Sequence, residues 1–256
     1  MKTITRRLEE TLPSMLWLTA WILTLHSATP MCGEPADEER VFFRTRHQHA
    51  FEAYTSERNN PEKAIAYAFA AFDWAELATE NDQRAGIAKP AIKACRQHLA
   101  SSQEAAANYY LALNLGQLAR TKWLGALKIV NEMEKRFHNA RNLDATLDHG
   151  GPDRALSRLY LQAPSWPASI GNRKKAIKHA KAAIATAPHY PGNYLSYLEI
   201  LLHQNARDEA KKLSRSLPAI MKASREELKS DYWRFTWNQW EKTWKSLRDQ
   251  LEEKSN

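Results

Sequence analysis

The sequence predicts an all-α protein built of stacked helical hairpins and closed by a long C-terminal helix, and three observations carry that expectation. Small and aliphatic residues recur in Asn60-x-x-Lys63-Ala64-Ile65-x-x-Ala68-x-Ala70-Ala71 and in Asn172-x-x-Lys175-Ala176-Ile177-x-x-Ala180-x-Ala182-Ala183. The same small-plus-aliphatic step returns at hairpin spacing: Ala91 to Ala126 is 35 residues and Ala176 to Ala210 is 34. Finally, Trp233, Trp237, Trp240, Trp244, Leu247 and Leu251 are spaced 4, 3, 4, 3, 4, which draws one apolar seam along a single helix. No apolar run of period two bounded by turn residues is present, so no sheet is expected.

A period near 34 residues with small residues at a helix crossing marks tetratricopeptide-type (TPR-like) hairpins. Such units stack into binding surfaces. Composition agrees. The chain has 256 residues, 43% hydrophobic, with only 8 glycines, a balance that favours helix and supports a packed core. The formal charge is +8, with acids and bases mixed along most of the chain. The densest basic cluster, Arg173, Lys174, Lys175, Lys178, His179 and Lys181, surrounds an apolar stripe and reads as a solvated helix face. No nucleic-acid partner is expected.

Residues 1–36 read as an export signal and short linker, and 37–256 as the TPR-like domain. Lys2, Arg6 and Arg7 precede an 11-residue apolar run, Met15 to Leu25, and then the small residues Ser27 and Ala28. That run is shorter than the ~20 residues that span a bilayer. Cleavage near Ala28 and retention as an uncleaved anchor are the two outcomes it allows. Cys32 is a candidate lipidation site, although Thr29, Pro30 and Met31 before it depart from a lipoprotein signal. Cys95, the other cysteine, is expected to be a buried packing residue.

The first helix is expected over 41–58. Asn60 is a candidate N-cap and Pro61 a first helical residue, opening an Ala-rich helix over 61–80. A third helix runs from Asn81 to about Ser101, and because Pro90 falls inside it a kink or break is expected near Lys89. Residues 103–119 and 124–137 make the next hairpin. Asp148-His149-Gly150-Gly151-Pro152 reads as a loop or helix end, followed by a helix over 153–162. The stretch Ala163 to Gly171 holds two prolines and reads as a second loop. Helices are then expected over 172–187, 193–204, 207–217 and 225–253, the last burying the open end of the stack.

Segment 104–202 carries a more specific pattern: Ala106 to Gly116, then Asp148-His149-Gly150-Gly151-Pro152-Asp153-Arg154-Ala155-Leu156, then Leu159-Tyr160-x-x-Ala163-Pro164-x-x-Pro167-x-Ser169-x-Gly171, Lys175-Ala176 and Pro191-x-Asn193. Over roughly residues 60–220 it resembles the T component family of tripartite ATP-independent periplasmic (TRAP) transporters. The resemblance implies an exported, all-helical protein of the periplasm or cell envelope, usually membrane-tethered as a lipoprotein. It implies repeats around a ligand-accessible pore or cleft, a solute-binding protein as partner and a homotrimer. The ligand expected there is a small apolar molecule or an organic acid, with no cofactor.

Candidate ligand- or partner-binding residues are Tyr109, Tyr110, Asp153, Arg154, Tyr160, Trp166 and Tyr194. No HExxH, GxSxG, P-loop or CxxC is present, so the chain is not expected to be an enzyme. His47 and His49, two apart on a helix, point in different directions and do not read as a metal pair. The alternative is an enzyme or metal-binding site around the Asp148–Arg154 loop, where Asp148, His149, Asp153 and Arg154 crowd together. The plainer reading makes Asp153 a helix cap and pairs Arg154 with a carboxylate.

Overall fold

The computed structural model describes residues 37–122, 125–165 and 167–253. The expected export signal, Cys32 and Trp166 lie outside the described residues. The described residues are helical, with one isolated bridge, Ser165 to Gly171, and no strand among them. The chain divides into two compact units, one ending at Met133 and the other beginning at Glu134. Within each, helices pack on their near neighbours in sequence, the all-α helical-hairpin arrangement expected.

The first unit holds α1 (Asp37–Ser56), α2 (Pro61–Glu76), α3 (Asn81–Gln97), α4 (Glu104–Ala119) and the start of α5 (Ala126–Leu143). The Asn60 side chain caps α2 by accepting from the N–H groups of Glu62 and Lys63, and Pro61 opens the helix. α2 packs against α1, α3 and α4. It can do so because Ala64, Ala68, Ala70, Ala71 and Ala75 are buried and let backbones approach. Tyr67 fills the remaining space, stacked on Tyr54 with ring centroids 5.4 Å apart. Arg84 is buried and donates to the Ala75 carbonyl at the end of α2 and to the Ala78 carbonyl just beyond it. Cys95 is fully buried, as expected, and burial pushes its thiol pKa up to about 12.

Of the kink and the break expected at this position, the break does not occur: α3 runs from Asn81 to Gln97 with Pro90 inside it. Pro90 lies on the exposed face, while Ile87, Ala88, Ala91 and Ile92 on the other face are buried. α3 packs on α2 and α4, and that burial holds the helix across the missing N–H, a defect of about 3 kcal/mol in an isolated helix.

The second unit holds the rest of α5, then α6 (Leu147–Gln162), α7 (Arg173–Thr186), α8 (Pro191–His203), α9 (Arg207–Ser214), α10 (Leu217–Ser224) and α11 (Asp231–Glu253). α7 packs on α6 and α8, with Ala176, Ala180 and Ala183 buried. The Asn172 side chain caps α7 by accepting from the Lys175 N–H at 2.9 Å. α10 was not expected as a separate helix; Pro218 in its first turn and buried Leu217 and Met221 explain it. α11 lies on α8 and α9. Trp237 and Trp240 are buried, while Trp233 and Trp244 are half-buried. Arg207 of α9 ties the far end of α11 by donating to the Gln250 and Leu251 carbonyls.

Candidate functional site

The most constrained piece of backbone is the turn at the start of α6. Asp144 begins it, its carboxylate accepting from the Thr146 N–H and hydroxyl at 2.8 and 2.6 Å. Asp148, His149 and Gly150 then adopt left-handed conformations, with φ of 48°, 54° and 77°. Two consecutive non-glycine residues in that region are costly, and they persist only where neighbours over-determine them. Gly150 meets a second demand: a Cβ there would come within 3.0 Å of the Ala183 carbonyl oxygen on α7.

Two side chains over-determine the turn. Arg154 donates to the Asp148 carbonyl at 3.1 Å, the His149 carbonyl at 3.3 Å and the Asn193 side-chain oxygen at 3.0 Å. Its other terminal nitrogen reaches the Asp148 carboxylate at 2.6 Å. This is the carboxylate pairing expected for Arg154, and its planar fork suits several acceptors at once. Asn193, fully buried at the start of α8, donates its amide to the carbonyls of His149, Ala183 and Ala187. The turn is thereby bound to the C-terminal end of α7. The His149 ring lies flat on Tyr190, 4.6 Å between centroids, with Arg154 4.9 Å from the same Tyr190 ring.

One turn further along α6, Asp153 is not the helix cap expected. It is 1% exposed and its carboxylate accepts from Arg141 Nε at 2.8 Å and pairs with His179 Nδ1 at 2.6 Å. Burial alone would raise its pKa; the hydrogen bonds from His179 and Arg141 outweigh burial and hold the carboxyl below its ordinary value. Position explains the difference. Asp153 lies inside α6, past the left-handed residues, on the face that meets α7 through His179.

Beside this pair, Tyr160 stacks on His179 with 5.5 Å between centroids. Its hydroxyl donates to Glu134 at 2.5 Å and accepts from His138 Nε2 at 2.9 Å. Burial, and then the Glu134 hydrogen bond, raise the Tyr160 pKa, so the phenol stays protonated. Burial lowers the His138 pKa, with the His179 ring adding to the effect and Glu134 opposing it. Lys175 closes the group, 4.7 Å over the Tyr160 ring and 3.7 Å from Glu134.

Of the sequence-predicted residues, the structure brings Asp153 and Tyr160 into one cluster around His179 and puts Arg154 in the adjacent turn. Tyr194, half-buried on α8, donates its hydroxyl to the Pro188 carbonyl at 2.9 Å. Tyr109 and Tyr110 are buried in the first unit, edge to face with each other, and Tyr110 meets Phe69 at 5.1 Å. Sequence reasoning missed Arg141, His138, Glu134, His179 and Asn193. His179 carried a signal: it follows Ala176 by three and precedes Ala183 by four, on the apolar stripe of α7. It sits in the basic cluster by sequence and is buried, whereas Arg173, Lys174, Lys175, Lys178 and Lys181 are exposed.

Among the described residues, no group of three or more His, Cys, Asp or Glu side chains is placed to hold a metal ion. No family model and no curated protein matches this chain.

Proposed function

We propose that this chain is a non-enzymatic binding and scaffold protein of the cell envelope, an accessory subunit serving a TRAP-type solute uptake system. The observation that carries the reading is how the residues of the GGPDR segment are spent. Arg154 directs four hydrogen bonds into the left-handed turn and a fifth to Asn193 on α8. Asp153 is buried against Arg141 and His179. These groups brace one hairpin against the next, work that suits a repeat protein whose surface does the binding. The sequence resemblance supports the transporter part. The charged start and short apolar run of the first 36 residues support export. Among the described residues no helix is long and apolar enough to cross a membrane.

The test is fractionation of cells making the tagged full chain, with intact mass of the recovered protein, a search of the neighbouring genes for a solute-binding protein, and affinity measurement against that protein once purified. The expected species lies in the envelope fraction, lacks roughly the first 28 to 31 residues and binds that protein saturably. A full-length chain in the cytoplasmic fraction overturns export. An envelope protein with no affinity for the neighbouring solute-binding protein overturns the transporter assignment.

A further inference from the structure

The exposed face of α3 carries two shallow hollows, one on each flank, both within the first unit. The flank toward α4 has a hollow of about 400 Å³ over Ile92 and Leu118, rimmed by Lys89 and Arg96. The flank toward α1 has one of about 190 Å³ over Phe51, Tyr54 and Pro90, with Arg58 at its edge. Lys93 and Gln97 line both, and so form a ridge between them. Phe51 is 41% exposed, an uncommon state for so large an apolar ring.

The charged side chains that line these hollows are all basic. No acidic side chain lines either of them. Arg96 is held by Glu132 through two hydrogen bonds of 3.1 and 3.0 Å. Lys89, Lys93 and Arg58 have no carboxylate partner among the described residues. Lys89 and Lys93 are one helical turn apart, about 6 Å along the axis, and on the same exposed face. Two apolar seats separated by a ridge that carries the unpaired Lys93, with unpaired Lys89 at the rim of the larger one, call for an occupant of matching pattern. A single acyl chain would need a continuous trough, and the ridge interrupts it.

We infer that this face of α3 is a docking site for an acidic segment of a protein partner, crossing α3 with carboxylates over Lys89 and Lys93 and an apolar side chain in each hollow. Complementary charge sets orientation and encounter rate, and the apolar seats hold the segment in place. The inference rests on the binding-protein reading, and the two fail separately: fractionation reports on export, whereas peptide titration reports on the groove alone.

The probe is a fluorescein-labelled synthetic peptide with glutamates between two leucines, titrated with the full chain and followed by anisotropy. Saturable binding that weakens as salt is raised is expected. The double variant Lys89→Glu, Lys93→Glu should weaken it about tenfold or more, and Phe51→Ala should weaken it with little change in salt dependence. Lys174→Glu, an exposed charge on α7, should leave it unchanged. Lys89→Gln with Lys93→Gln serves if charge reversal impairs folding. Absence of saturable binding to the unaltered chain overturns the inference. So does equal binding by a double variant with unchanged melting. Preference for dodecanoate or for anionic phospholipid vesicles over the peptide would also overturn it.

Discussion

Asp153 is a carboxylate taken out of water, and its stability contribution should depend on its two partners and on pH. Replacing it with Asn keeps the shape but removes the charge that Arg141 and His179 meet. The expected cost at neutral pH is about 2–3 kcal/mol, the usual size for hydrogen bonds to a charged group. The folded pKa lies below the ordinary value of 3.8, because the partners outweigh burial. The stabilisation is therefore present above that value and is lost as pH falls through the lower, folded one. Thermal melts of the two proteins should differ clearly at pH 7 and converge in acid below about pH 4. Equal melting at pH 7 would show that the pair contributes nothing. The sequence made Asp153 and Arg154 visible as a polar pair in a Gly-rich turn, and it suggested the carboxylate partner of Arg154. It hid the partners of Asp153, because Arg141 and His179 are 12 and 26 residues away and meet it only through packing of α6 with its neighbours.

The elements were more legible than the contacts. Caps at Asn60 and Asn172, prolines at helix starts and the spacing of alanines fix most helices, since each depends on residues within one or two turns. The exceptions arise where tertiary burial overrides local signal, as in the continuous α3 through Pro90 and the separate α10. The seam of α11 was legible as a seam, and the structure supplies the surface it covers. Trp240 meets Tyr190 edge to face at 5.1 Å and Trp237 at 4.9 Å. Gly192 at the start of α8 leaves the room: a Cβ there would lie 2.7 Å from the Tyr190 ring and 3.4 Å from Trp240. Trp240→Ala should therefore cost about 3–5 kcal/mol through the cavity it leaves, with no change in sedimentation. Dissociation of an oligomer into folded monomers by this variant would instead make the seam a subunit interface.

At the scale of the whole molecule, stability should be distributed along the chain. Each of the two compact units has its own buried core: Tyr67, Ala71 and Leu111 in the first, Leu156, Leu198 and Leu201 in the second. In both, the packing partners of a helix are mainly those next to it in sequence. In repeat proteins built this way, stability is approximately a sum of unit and nearest-neighbour terms, so a local defect stays local. Leu198 on α8 is fully buried, and α8 packs on α6, α7, α9, α10 and α11. Leu198→Ala should cost about 2–5 kcal/mol in its own surroundings. Native-state hydrogen exchange would read the effect residue by residue. Amides of α6 to α8 should exchange faster, while those of α2 and α3 should keep their protection. A uniform loss of protection from α2 through α11 would show that the chain opens as one cooperative block. The small residues at its helix crossings would then transmit strain along the chain, and the nearest-neighbour description would fail.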